Sequence, residues 1–204
     1  MNNLSRIRKE IKQKALKKFD SSKLLKRAEK IKLELLKEFE NHKVTMEIKS
    51  GPTGTNISKT LAGAGGGNLY SFIGFDQDNQ DPTKVIFDIL SSIKIEINNR
   101  NDSFTLRVRM PTVFDIWDAT PMPWQEGRSW AEGIESGISG LNFYLFSRKG
   151  FEDSRSGTAV QSTKVRGFAR YIPTRYISTM LKKYKKKFSS ISKSGKEVSV
   201  TIEE

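Results

Sequence analysis

The chain has 204 residues, 36% of them hydrophobic and none of them cysteine, which allows one core and excludes disulfides, thiolate catalysis and cysteine-ligated zinc. Its formal net charge of +13 at pH 7 favours an anionic partner, such as nucleic acid, an anionic membrane or an acidic protein surface. Residues 1–12 have no apolar segment of the signal-peptide type, and no apolar run reaches the roughly 18–20 residues that span a bilayer, so we expect neither secretion nor membrane insertion.

The first predicted unit, residues 1–46, is a basic helical arm. Its apolar side chains recur at helical spacing, while lysine dominates the opposite face. The first stripe contains Leu4, Ile7, Ile11, Ala15 and Phe19, and the second contains Leu24, Ala28, Ile31 and Leu35. Asp20, Ser21 or Ser22 offers an oxygen that caps the second helix. Such a stripe packs either on the downstream core or on a neighbouring subunit, and periodicity does not choose between them.

Residues 47–68 form the second predicted unit, a glycine-rich flexible loop. Gly63, Gly65, Gly66 and Gly67 have no side chain to pack, so we expect a mobile or extended segment that becomes ordered on a partner. Residues 69–75 then supply an apolar and aromatic patch, which is typical of a short strand or a buried turn.

The third unit, residues 69–188, is predicted to be an α+β core. Asp81-Pro82 is a helix start, because aspartate caps a helix and proline fits its first position. Apolar alternation at residues 93–97 and 104–110, separated by turn formers, predicts a β-hairpin with one buried face. Further predicted elements are a loop at 118–127, a short helix at 128–138, strands at 141–146 and 157–162, and a final helix that ends near 188.

Residues 189–204 are predicted to be a linker and a strand, in which Val198, Val200 and Ile202 alternate with polar residues. That strand pairs either within its own chain or with the sheet edge of a neighbour. The predicted fold class is therefore α+β: a small mixed domain with a hairpin-containing antiparallel sheet, a long N-terminal helical arm, and a C-terminal helix and strand.

Motifs for small-molecule chemistry are incomplete in this sequence. No lysine follows Gly67, as a Walker loop requires, and Asn68 occupies the third glycine position of a dinucleotide fingerprint. His42 is the only histidine, so a two-histidine metal site is incomplete and we expect His42 to cap a helix or face solvent. The aspartates that could hold Mg²⁺, more simply interpreted as turn and cap residues, are Asp76, Asp78, Asp81, Asp115 and Asp118. We therefore predict no enzymatic activity, no cofactor and no metal site.

Basic residues concentrate at 6–18, 23–32 and 182–187. These runs either contact phosphates without sequence readout or form solvated helix faces, and their lysine content disfavours base readout. The candidate contacts with nucleic acid or an acidic surface are Lys182, Lys183, Lys185, Lys186, Lys187, Arg166 and Arg170. The candidate packing or interface anchors are Leu24, Ile31, Leu35, Trp124, Trp130 and Tyr176.

Several segments carry a resemblance to a known family. They are the basic N-terminal helix, NLYSFIGF at 68–75, PWQEGRSWAEGIESGISG at 123–140 and SRSGTAVQ at 154–161. Together they resemble the neck or tail-completion proteins of tailed bacteriophages, in which an Arg-Ser-Gly element often lies near a sheet edge. The resemblance implies a virion structural protein without enzymatic activity, whose copies form a ring at the head–tail junction as a connector, a tail terminator or another neck layer.

That family role implies contacts with portal, neck or tail proteins, passage of DNA through the ring, and a place in the virion after assembly in the host cytoplasm. It also implies that residues 1–40 serve assembly and are dispensable for folding of the core. The alternative is a non-specific nucleic-acid-binding protein that acts through the lysines of residues 182–187. A Mg²⁺-dependent nuclease that uses Asp115 is the third hypothesis.

Overall fold

The computed structural model describes residues 21–62, 67–75, 81–100, 103–123, 125–137, 170–191 and 198–203. Within these residues the chain is a mixture of helices and strands, which confirms the predicted α+β class. In chain order the elements are α1 (Ser21–Glu40), α2 (Lys43–Lys49), a 3-10 turn (Gly51–Thr53), β1 (Leu61–Ala62), α3 (Leu69–Ile73), α4 (Lys84–Ser91), β2 (Lys94–Arg100), β3 (Ser103–Arg109), α5 (Val113–Asp118), β4 (Pro121–Met122), β5 (Gln125–Ser129), α6 (Trp130–Ser136), β6 (Arg170–Tyr171), α7 (Ile177–Ser190) and β7 (Val198–Glu203).

The main sheet has the order β2-β3-β7. Strands β2 and β3 form the predicted hairpin, with Ile97 opposite Leu106. Strand β7 pairs with β3 within the same chain, and it does so in parallel, so the sheet is mixed rather than antiparallel as predicted. Leu106 and Val108 are fully buried, whereas Arg107 and Arg109 alternate with them on the other face and contact Glu203. The sheet therefore packs one apolar face on the helices.

Helix α1 is part of the core and is not a projecting arm. Ala28, Leu35 and Phe39 are fully buried, and the helix packs on α4, α7 and β2. The helix ends at Glu40, and α2 starts after a short turn in which His42 accepts the Val44 N–H through Nδ1. The predicted second stripe thus packs on the chain's own core, while the first stripe lies outside the described residues.

The described part of the glycine-rich stretch is held by two buried polar side chains. Glu47 accepts the backbone N–H groups of Ser58 at 2.8 Å and Leu69 at 2.7 Å. The amide of Asn68 donates to the carbonyl oxygens of Gly51 and Gly54, at 2.9 and 2.7 Å. Residues 51–62 therefore make specific contacts within the chain, instead of the free loop that composition predicts; residues 63–66 lie outside the described part.

Residues 69–75 differ from their predicted strand or turn, because their first five residues form α3. The Asn68 side chain accepts the Ser71 N–H and caps the helix. Gly74 ends it in the left-handed region, at φ 84°, where glycine has no Cβ penalty. The patch is nonetheless buried, as expected: Leu69, Tyr70, Ile73 and Phe75 all belong to the core.

The remaining predictions agree in part. Helix α4 begins at Lys84, slightly after the predicted start, and Asp81 accepts both the N–H and the hydroxyl of Thr83 before it. Residues 118–127, predicted as a loop, contain β4 and the start of β5. Helix α6 lies within the predicted helical segment, and α7 ends at Ser190, slightly after the predicted end near 188. The predicted strands at 141–146 and 157–162 lie outside the described residues.

Candidate functional site

Helix α7 carries the densest run of the lysines that the sequence predicts as contacts with nucleic acid or an acidic surface. The helix buries Met180, Leu181, Tyr184 and Phe188, so the intervening positions that hold lysine are pushed towards the surface. Its start is fixed by Glu135 of α6, which accepts the backbone N–H and the hydroxyl of Ser178. We call Lys182, Lys183, Lys185, Lys186 and Lys187 the α7 basic surface.

Two lysines of this surface, the inner pair, are bound to α1. Lys183 Nζ lies 2.6 Å from Glu38 Oε2, and Lys187 Nζ lies 2.8 Å from Glu34 Oε2. Because residues 34 and 38 match residues 187 and 183 in reverse order, α1 and α7 run antiparallel. The inner pair therefore joins the two helices.

Two other lysines, the outer pair Lys182 and Lys186, are exposed one helical turn apart on the side of α7 away from its buried face. The carboxylates of Glu34 and Glu38 are hydrogen-bonded to the inner pair. The outer pair is thus placed to meet a partner without first breaking those bonds.

Tyr184 lies beneath the inner pair and connects it to α1. Its hydroxyl donates to Glu38 Oε2 at 2.8 Å, and the ammonium of Lys187 lies 4.5 Å from its ring centroid. Burial, together with the hydrogen bond to Glu38, raises the pKa of Tyr184. Burial alone would raise the pKa of Glu38, but hydrogen bonds from Lys183 and Tyr184 outweigh it and leave that pKa lowered. Hydrogen bonding to Lys187 lowers the pKa of Glu34.

A second basic surface lies on the solvent side of α1. Lys26, Lys30, Leu33 and Lys37 are separated by three or four residues, so they share one side of the helix, and all of them are exposed. Glu29 and Glu40 lie on the same side, and Glu40 is paired with Lys49. Leu33, in the second half of this helix, is 64% exposed. We call Leu33 and the three lysines around it the Leu33 patch.

The structure brings together the predicted lysines on one helix. Arg170 lies in β6, which pairs with β1, and Arg166 lies outside the described residues. The lysine run stays together because a helix of fourteen residues spaces it over adjacent turns.

The predicted interface anchors that the structure describes pack on the core of the chain itself. Leu35 is fully buried, Tyr176 is 1% exposed and Trp130 is 2% exposed. Trp130 meets Phe75 edge-on, and the Tyr176 ring stacks on Phe39. Ile31 is buried, Leu24 is half-buried against the same core, and Trp124 lies outside the described residues. None of the five described anchors is therefore a free surface anchor, because each one packs on its own chain.

His42, the predicted cap or solvent-facing residue, is a helix cap. Its Nδ1 accepts the Val44 N–H at 3.3 Å, and its ring lies 4.7 Å from that of Tyr176. Burial lowers the pKa of His42, an effect that the nearby Glu38 carboxylate partly offsets. A cleft of about 390 Å³ opens beside it, lined by Glu38, Asn41, His42, Lys43, Val44, Ser58 and Thr174.

The aspartates considered for Mg²⁺ are dispersed where they are described. Asp81 binds Thr83, and Asp115 forms a capping box with Thr112. Asp118 is exposed on α5, and Asp76 and Asp78 lie outside the described residues. In the part of the chain that the structure describes, no group of three or more histidine, aspartate and glutamate side chains is placed to hold a metal ion.

Sequence reasoning missed Phe114, which is 65% exposed on α5. In the sequence, Phe114 lies between the cap residue Thr112 and Ile116. Because Ile116 is buried and side chains two residues apart face different sides of a helix, Phe114 points outwards.

The described helices include none that is long and apolar enough to cross a membrane. No protein-family model, curated protein or solved structure matches this chain.

Proposed function

We propose that this protein is a non-enzymatic structural protein of a tailed-phage virion, which forms a ring at the head–tail junction and turns its α7 basic surface towards the DNA that passes through. The observation that carries the proposal is the division of the α7 lysines. The inner pair is bound to Glu34 and Glu38, while the outer pair lies exposed on the side of α7 away from its buried face. Resemblance to neck and tail-completion proteins supplies the setting.

The charge arrangement suits a smooth, sequence-independent contact with DNA. Lysine places a compact ammonium on a flexible stem, which pairs with phosphates without reading base edges. A channel for DNA needs such weak, salt-screened attraction, because tight binding would hold the DNA in place. The outer pair, one helical turn apart on a rigid helix, meets this requirement.

The exposed outer pair by itself also favours a second function, that of a non-specific nucleic-acid-binding protein that acts without a ring. Both functions include the contact with DNA, and only the first requires a ring. A DNA measurement and an assembly measurement on the same protein therefore separate them.

The test uses fluorescence anisotropy of the full chain on a short DNA duplex between roughly 50 and 200 mM salt. The wild type should bind with a steep salt dependence. Lys182→Ala with Lys186→Ala should reduce the slope of log affinity against log salt by about two, since each phosphate contact contributes about 0.9. The control with the same loss of charge is Lys84→Ala with Lys94→Ala, which are exposed on α4 and β2.

Mass photometry and negative-stain microscopy of the same sample report on the ring. Rings together with a slope that only the α7 variant reduces would support the proposal. A monomer with the same DNA behaviour would favour the second function. An equal slope for the two double variants would remove the DNA role from α7 in either case.

A further inference from the structure

Phe114 lies on the short helix α5, which is held by a capping box at its start and by a buried side chain on its inner side. The Thr112 hydroxyl accepts the Asp115 N–H at 3.1 Å, and Asp115 Oδ2 accepts the Thr112 N–H at 2.7 Å, which closes a capping box at the start of α5. Ile116, on the inner side, is fully buried. Phe114 itself meets the half-buried Trp117 edge-on, with ring centroids 5.2 Å apart. An exposed aromatic ring held in one orientation loses little entropy when a partner covers it.

Phe114 shares its short helix with two acidic side chains. Asp115 and Asp118 are exposed on the same short helix, and Asp118 lies one turn after Phe114. We call these three residues the Phe114 patch: an apolar ring with a negative rim.

The Leu33 patch has the opposite character. Leu33 is as exposed as Phe114, at 64% against 65%, and its helix face carries Lys26, Lys30 and Lys37 together with Glu29 and Glu40, of which Glu40 is paired with Lys49. An apolar centre with a net positive rim on α1 therefore faces an apolar centre with two carboxylates on α5. Both centres are exposed, so the residues that the structure describes cover neither of them.

We propose that the Phe114 patch of one copy docks on the Leu33 patch of the next copy, an inference that rests on the proposed ring. The contact is heterologous, since the two patches are different surfaces of one chain, and repetition of such a contact closes into a ring when the rotation allows it. The aromatic ring supplies the central anchor, and the opposite charges set orientation and exclude contacts between like patches.

The proposal divides the lysines of the two helices by role. Lys26, Lys30 and Lys37 surround Leu33 on α1 and face the next copy, whereas the outer pair of α7 remains available for phosphates. Loss of assembly and loss of DNA binding should therefore follow from different substitutions.

The test follows the oligomeric state of the full chain by mass photometry and sedimentation over a range of concentrations. One variant carries Phe114→Ser with Asp118→Lys, and a second carries Leu33→Ser with Lys37→Glu. Asp115 is left unchanged because it caps α5. Val85→Ser with Asp88→Lys is the matched control, since both residues are exposed on α4. Circular dichroism verifies that each variant is folded.

We expect each patch variant to need at least about tenfold more protein to assemble, the equivalent of a single moderate interface contact, while the control assembles like the wild type. An equal mixture of the two patch variants should form a dimer and nothing larger. Each variant keeps the patch that the other has lost, so one contact between them survives.

The possible failures are distinguishable. A wild type that stays monomeric at every concentration would overturn the ring, and this contact with it. A wild-type ring that both patch variants also form would overturn this contact alone. Patch variants that lose assembly but do not pair when mixed would show that the two patches dock on other surfaces, and would also overturn it.

Discussion

Leu33 and Leu35 of helix α1 are two residues apart in the chain and have opposite environments. Leu35 is fully buried against the core, and Leu33 is 64% exposed among lysines. The buried side joins α1 to α7, α4 and β2, and Glu34 and Glu38 at its edge bind the inner pair of lysines. On the opposite side, Leu33 faces solvent. The contrast teaches that one helix can belong to the core on one side and offer a docking surface on the other.

Removal of α1 gives the largest expected effect and tests whether its buried side is part of the core. Ala28, Leu35 and Phe39 are fully buried, and loss of a single buried phenylalanine side chain costs about 3–5 kcal/mol against a total stability of about 5–15 kcal/mol. A chain that lacks residues 1–40 should therefore fail to fold, as measured by circular dichroism and urea titration. A cooperative unfolding transition in that fragment would restore the idea of a dispensable arm.

Alanine at each of the two leucines sharpens the contrast. Leu35→Ala should lower the free energy of unfolding by about 2–5 kcal/mol, because it removes buried methyl groups and leaves a cavity. Leu33→Ala should change it by less than about 0.5 kcal/mol, since the side chain already faces water. Urea titration should be performed at dilutions that prevent association. Equal effects at the two positions would contradict the described orientation of α1.

Glu47 provides a polar counterpart on α2. Its two carboxylate oxygens accept the N–H groups of Ser58 and Leu69, and glutamine offers only one acceptor. Glu47→Gln should therefore lower the free energy of unfolding by about 1–3 kcal/mol, the cost of one buried donor left without a partner. Glu29→Gln, an exposed residue on α1, is the control. Equal stability of the two variants would argue against Glu47 as the anchor of the loop.

The smallest expected effect concerns pH and the junction between α1 and α2. Burial lowers the pKa of His42 in the folded protein, so the unfolded chain binds its proton first as pH falls. The contribution of His42 to stability is complete above its unfolded pKa of about 6.5 and is lost as pH falls through the lower folded value.

His42→Asn should keep the helix cap and remove this titration. The melting temperature of the wild type should fall more between pH 7.5 and 5.5 than that of the variant. This range lies above the titration of Glu34 and Glu38, whose pKa values are lowered from the ordinary value of 4.5. Identical pH profiles would show that the His42 proton is not linked to folding.

Amino-acid patterns predicted those elements that depend on neighbouring residues. Alternation of apolar side chains defined the β2–β3 hairpin, because every second side chain of a strand faces the core. Helical spacing defined α1 and α7 for the corresponding reason. The lysine run of residues 182–187 was also visible, as was the burial of residues 69–75. The helical form of α3 was missed, since its Asn68 cap was placed in the predicted loop and its Gly74 end signal in the predicted strand or buried turn.

The sequence identified which residues form the candidate site, but it did not predict how those residues pair. The lysines of α7 were identified, but their division into an inner and an outer pair depends on Glu34 and Glu38, which are about 150 residues away in the chain. Leu35, Trp130 and Tyr176 were identified as anchors, yet their partners turned out to be residues such as Phe39 and Phe75 of the same chain. An apolar stripe indicates that its residues are buried, but it does not indicate which segment covers them.

The sequence by itself determined the mixed helix and strand composition, the hairpin, the amphipathic helices and the strong positive charge, because these follow from local periodicity and residue type. Only the tertiary structure decided that α1 belongs to the core, that β7 pairs in parallel with β3, and that Leu33 and Phe114 stay exposed. Each of these depends on which distant segments meet, and that is set by the packing of the whole chain and not by any one stretch of it.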